Sequence, residues 1–157
     1  MKTGSKYLRK QVSNLSTVPY SRVEFYQQQN VYDVVKPRGK GHSIEYSQRH
    51  VVETAIVDKL NTAGVTLAKA KQVISRLRKL ELYKGCFTAV DDIDPAKFHK
   101  RDDFKVFLVV YNNSELDFDF RRVMGWQNIE NQKVSMRERS SAIIVDITEV
   151  FFKLLRS

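Results

Sequence analysis

Gly64 divides two helical periodicities, and that junction constrains the chain more than any other feature. Before it, Val52, Ile56 and Leu60 recur every four residues with Ala55 and Ala63 beside them, one face of a helix from Gln48 to about Ala63. Ser47 stands where an N-cap is needed. Gly64 stands where a chain leaving a helix turns left-handed. After it, Thr66 is placed to cap a helix from Leu67 to about Leu82. Leu67, Ala70, Ile74 and Leu77 face inward in that helix, and Lys69, Lys71, Arg76, Arg78 and Lys79 line its outer side.

Two shorter helices precede this unit. Leu8, Val12 and Leu15 share one face of a helix running from about Tyr7 to Leu15. Asn14 to Thr17 read as a short turn, and Pro19 opens a second helix to Gln28, because a proline at the first helical position lacks only an N–H that would have no partner there. Val23 and Tyr26 can face the first helix, which leaves Tyr20, Ser21, Arg22 and Glu24 towards solvent. Between the two helical pairs lies Val31 to Tyr46. Pro37, Gly39 and Gly41 punctuate it, and Ile44 to Tyr46 suits a return strand. The expected shape is a β-hairpin with Lys36, Arg38, Lys40 and His42 near its tip.

After Gly85 the pattern changes. Asp94-Pro95 opens a short helix to about Lys100. Phe104 to Tyr111 is an almost continuous apolar run and reads as a buried strand. Asn112 to Ser114 read as a turn, and Leu116, Phe118 and Phe120 alternate with charged residues, as in a half-buried strand. Gln127 to Ser140 is polar. Ala142 to Ile147 suits a third strand, and Thr148 is placed to cap a last helix. The expected fold class is a mainly α N-terminal winged helix-turn-helix domain, residues 1–84, followed by a small α+β C-terminal domain, residues 85–157.

Charge follows the same division. Of a net +9, residues 1–84 carry +10 and residues 85–157 carry −1. A basic half joined to a near-neutral half suits contact with a polyanion, since neutralising phosphates releases condensed counterions. The N-terminal residues have no apolar run of a secretory signal, and no stretch approaches the ~18 apolar residues of a membrane span. The single Cys86 cannot form an internal disulfide, so a cytoplasmic location is expected.

A short helix pair followed by a basic hairpin has a direct use. A helix fits the major groove, where its side chains read base edges, and a wing places cations on flanking phosphates. The order of elements resembles the MerR family of bacterial regulators. Val18 to Gln27, VPYSRVEFYQ, lies in the register of the family's GVSxRTIRYYE. Gly41 to Ser47, GHSIEYS, corresponds to the wing ending GYRxYS, and Gly64 to Ala70, GVTLAKA, to the junction GFSLEEI. The resemblance covers about Leu8 to Leu77. Three departures stand out: Glu24 replaces an arginine, Phe25 replaces the first tyrosine of a pair, and Pro19 replaces a capping serine. The family continues into a long helix that forms an antiparallel coiled-coil dimer; here the helical pattern stops near Gly85.

The resemblance and the pattern together imply a sequence-specific regulator that binds double-stranded DNA. The expected contacts are Tyr20, Ser21, Arg22 and Tyr26 from the second helix, and Lys36, Arg38, Lys40, His42 and Tyr46 from the wing. Tyr46 equally suits packing on the core, and Arg49, Lys69 and Lys71 suit a charged helix surface better than phosphate contact. The aromatic-rich second half suits a core, a dimer interface or a ligand pocket. A homodimer through that half and a contact with RNA polymerase follow as expectations. No cofactor is expected. His42, His50 and His99 are scattered, which gives no metal-ligand spacing, and no phosphate loop, nucleophile elbow or HExxH motif is present, so an enzyme is not expected. Two other readings are an architectural DNA-bending factor, suited by the missing coiled coil, and a protein-interaction adaptor, suited by Glu24 and Phe25.

Overall fold

A computed structural model describes residues 6–34, 43–92, 104–111, 118–124 and 142–157. The first helix, α1, is Arg9–Ser16. It starts later than expected because Tyr7 is extended. Tyr7 and Tyr46 exchange backbone hydrogen bonds of 2.8 and 2.9 Å in an antiparallel bridge. The return segment of the expected hairpin is thus anchored on the chain ahead of α1, and the exposed pair Lys6–Glu45 flanks the bridge at 2.6 Å. The tip, residues 35–42, lies outside the described residues.

Helix α2 is Tyr20–Gln28 with Pro19 at its N-cap, where the proline carbonyl accepts from the N–H groups of Arg22 and Val23. It ends on Asn30 at φ 54°, with Val31 N–H on the Tyr26 carbonyl and Asn30 N–H on that of Gln27. Helix α3, Gln48–Thr62, ends the same way. Gly64 sits at φ 89°, Val65 N–H bonds the Leu60 carbonyl, and Gly64 N–H bonds that of Asn61. Both ends thereby satisfy carbonyls that have no partner inside the helix.

Helix α3 is the centre of the molecule. Every residue from His50 to Val57 is buried, as is Leu60, so it has no solvent face over its first half. The expectation of a single inward face was too narrow, and Ala63, expected beside that face, is exposed. Helix α4, Leu67–Leu77, is capped by Thr66, whose hydroxyl accepts from Lys69 N–H. It stops five residues before the expected Leu82. Its last turn tightens into bonds between residues three apart, Lys79 to Arg76 and Leu80 to Leu77. A new helix, α5, then runs Glu81–Asp92, with Glu81 in the first turn, where the helix dipole favours an acid. The break turns Tyr83 into the core.

The strands are β1, Phe104–Tyr111, β2, Phe118–Met124, and β3, Ala142–Asp146. They form an antiparallel sheet in the order β2-β1-β3, with Leu108 opposite Phe120 on one side and Val145 on the other. The unbroken apolar run of β1 is explained by burial on both faces. Val106, Leu108 and Val110 join the main core; Phe107 and Val109 form a second small cluster with Tyr111. The final helix, α6, is Thr148–Leu155. Thr148 does not cap it, which corrects the expectation. Its hydroxyl accepts from Val106 N–H at 3.0 Å, and the Asp146 carboxylate takes the Thr148 N–H at 2.9 Å. The short helix expected from Asp94 to Lys100, the turn at 112–114 and the polar segment 127–140 lie outside the described residues.

The chain is therefore mainly helical at its N-terminal end and α+β at its C-terminal end. One buried cluster contains both, from Tyr7 and Val12 to Phe151 and Leu154. Polar ties cross between them as well. Lys59 Nζ donates to the Asp146 carbonyl at 2.7 Å, and the Tyr7 and Ser157 hydroxyls lie 3.1 Å apart.

Candidate nucleic-acid interface

The outer face of α2 is set by what its inner face buries. Val23 and Tyr26 are buried, while Tyr20, Ser21, Phe25 and Gln28 are exposed. Two polar clamps hold the helix, one along each flank. On the first, Arg9 of α1 donates to Glu24 Oε1 and Gln27 Oε1, both at 2.7 Å. Arg9 also reaches the Tyr20 hydroxyl at 3.2 Å, and its guanidinium carbon lies 5.4 Å from the centre of that ring. Tyr46 adds its own hydroxyl to Gln27 Oε1 at 2.7 Å. Glu24 is thus matched by Arg9 and is not an isolated negative charge on the surface.

On the other flank, Asp58 of α3 accepts from Arg22 Nη1 at 2.8 Å and from the Tyr26 hydroxyl at 2.9 Å. Burial, reinforced by the Asp58 hydrogen bond and charge, pushes the Tyr26 hydroxyl well above the ordinary tyrosine range. It remains a donor at any pH the protein meets. The Arg22 side chain stays 43% exposed while Asp58 is largely covered, so the guanidinium is steered without being removed from the surface.

Structure thus separates the expected contacts. Tyr20, Ser21 and Arg22 lie together at the start of α2 with exposed or half-exposed side chains. Tyr26 and Tyr46 are each about 1% exposed, and both hydroxyls point to protein partners. They support the surface from beneath. Lys36, Arg38, Lys40 and His42 lie outside the described residues. Of the more distant cations, Arg49 is taken by Asp33, and Lys71 donates to the Gln29 carbonyl at the end of α2.

The chain just ahead of residue 35 is fixed through Asp33 by a charged cluster that sequence reasoning missed. Glu53, fully buried in α3, receives Arg78 through Nε at 2.8 Å and Nη2 at 2.7 Å. Asp33 receives Arg49 at 2.6 and 2.7 Å and His50 Nε2 at 2.8 Å. Ser47 N–H donates to His50 Nδ1, which leaves Nε2 as the nitrogen that donates to Asp33. Burial alone would raise the Asp33 pKa, but the His50 and Arg49 hydrogen bonds and the Arg78 charge hold its carboxyl well below the usual carboxylate range. Asp33, His50 and Glu53 offer ligand atoms within 4.8 Å of one another. Their partners are two guanidinium groups, however, and these neutralise the carboxylates and repel a cation. A glutamate inside the apolar run VVETAIV was the available signal, since a buried charge needs a partner.

Comparison with known proteins bears on this geometry directly. Residues 7–77 match the family described as MerR HTH family regulatory protein. This segment is a MerR-family helix-turn-helix domain. The match ends at the last residue of α4, so it takes in both clamps and the segment expected to form a wing, and stops short of α5 and the sheet. No curated protein matches the chain. Residues 7–77 are thus similar to the helix-turn-helix segment of regulatory proteins of that family. Among the described residues no helix is long and apolar enough to cross a membrane.

Proposed function

We propose that the chain is a sequence-specific, duplex-DNA-binding transcriptional regulator acting in the cytoplasm. Residues 1–84 make the DNA contacts, and residues 85–157 supply dimerisation, ligand sensing or both. The observation that carries this reading is the clamped α2 of the MerR-type segment, with Tyr20, Ser21 and Arg22 presented together at its start. Those residues enter the major groove, and Lys36, Arg38, Lys40 and His42 lie on flanking phosphates. Tyr26 and Tyr46 hold α2 and the wing base in place. A contact with RNA polymerase belongs to the same reading.

The test is binding of the full chain to a selected duplex and to its scrambled version at several salt concentrations. Arg38→Ala and Lys40→Ala are expected to weaken binding to both duplexes equally and to lower the salt slope by about one each. Arg22→Ala is expected to erode discrimination, by ~1–3 kcal/mol if its fork engages a guanine. Equal losses on both duplexes for all three variants would remove α2 as a sequence reader.

An architectural role, bending DNA without recruiting polymerase, is the second reading. It is favoured by α5, Glu81–Asp92, whose Phe87 ring packs 5.8 Å from that of Phe151 in α6 of the same chain. The adaptor reading loses one of its two supports, because Glu24 is paired with Arg9.

A further inference from the structure

We infer that Phe25 reads a thymine methyl group in the major groove, which makes a T·A pair a preferred part of the bound site; this rests on the DNA-binding reading above. Ser21, Phe25 and Gln28 are spaced four and three residues apart, so they share one stripe of α2, and all three are exposed. Phe25 is 47% exposed, although its neighbour Tyr26, at a ring-centroid distance of 5.8 Å, is buried. The stripe runs between the two clamps. Glu24 on one side is matched by Arg9, and Arg22 on the other is matched by Asp58. The centre of the presented face is therefore neutral, with an aromatic ring between a hydroxyl and an amide.

Such a face has one apolar feature to meet in the major groove, the thymine C5-methyl, which no other base carries. A ring without a hydroxyl suits that contact. It leaves no polar group to be stripped of water, whereas a phosphate or a base edge would offer it nothing to bond. Gln28 and Ser21, on either side, can meet polar base edges, an amide being suited to adenine N6 and N7.

The experiment starts from a duplex selected from a random pool by the full-length protein. Each thymine is replaced in turn by deoxyuridine, which removes the methyl and leaves pairing intact. At one thymine position the replacement is expected to weaken wild-type binding about fourfold, the size expected for one buried methyl-sized group. Phe25→Ala is expected to bind the thymine and deoxyuridine duplexes equally, and Phe25→Leu to keep part of the difference. Phe25 is exposed, so its substitution leaves the core intact, and circular dichroism of each variant checks the fold. Retention of the full methyl effect in Phe25→Ala, or no methyl-sensitive thymine in the wild type, overturns the inference and leaves DNA binding intact. Failure of the wild type to select any duplex overturns the functional reading itself, and this inference with it.

Discussion

Asp58 holds two donors from α2 with one carboxylate oxygen, and the consequences of losing it differ for each. Tyr26 would be left with its hydroxyl buried and without its acceptor, at a cost of about 1–3 kcal/mol of stability. Arg22, at the surface, would regain water and lose only its orientation. Asp58→Ala is therefore expected to lower the midpoint of denaturant unfolding and to reduce discrimination between selected and scrambled duplexes. Arg22→Ala should reduce discrimination with little change in stability, because an exposed pair contributes about 0–1 kcal/mol. Equal stability of the two variants would show that Tyr26 does not depend on Asp58. Asp33 gives a second test at this scale. Its carboxyl is held below its unfolded value, so its contribution is fully present above the unfolded pKa near 3.8 and fades as pH falls through the lower folded value. Asp33→Asn is expected to flatten the stability profile below about pH 4, relative to wild type. An unchanged acid limb would mean that the carboxylate is not held by its cations.

The elements that were legible in sequence are those whose signals are local. Gly64 marks its own left-handed turn, Thr66 caps three residues on, and the alternations at 4 and 2 residues announce α3 and β2. Gly64 also has open space where a side chain would sit, so substitution there meets conformational strain alone. Gly64→Ala is expected to lower stability by ~1–2 kcal/mol, measured by denaturant unfolding, without altering contacts elsewhere. A change below 0.3 kcal/mol would mean that the turn relaxes out of the left-handed region. What was not legible depends on distant partners. The pairing of Arg22 with Asp58 joins residues 36 apart, and the Tyr7–Tyr46 bridge takes the return segment away from a simple hairpin. Thr148 had the residue type of a cap, yet its hydroxyl serves the β1 backbone 42 residues earlier. The stop of α4 at Leu77 was hidden because Leu80 and Leu82 continue an apolar pattern that the fold leaves exposed.

At the scale of the molecule, the second buried side of α3 explains how the two ends of the chain belong together. Helix α3 meets α1 and α4 from its own half, and β3 and α6 from the other. Val150, Phe151, Phe152 and Leu154 of α6 lie in the same buried cluster as Val12, Ile56 and Leu60. The basic and neutral segments differ in surface chemistry but share this interior, so the α2 face proposed to meet DNA rests on residues far beyond the MerR-type segment. Phe151 is the sharpest probe, because it is 2% exposed and its ring lies 5.8 Å from that of Phe87 in α5. Truncating a buried phenylalanine to alanine costs about 3–5 kcal/mol, a large share of the 5–15 kcal/mol that stabilises an ordinary domain. Phe151→Ala is expected to weaken hydrogen-exchange protection in α3 and in β1 by the same free energy, because both unfold with one core. Loss of protection in β1 with α3 unchanged would divide the molecule into two cooperative units. The helix-turn-helix would then be stable without α6, and a ligand held by the C-terminal segment would have no route through this core to α2.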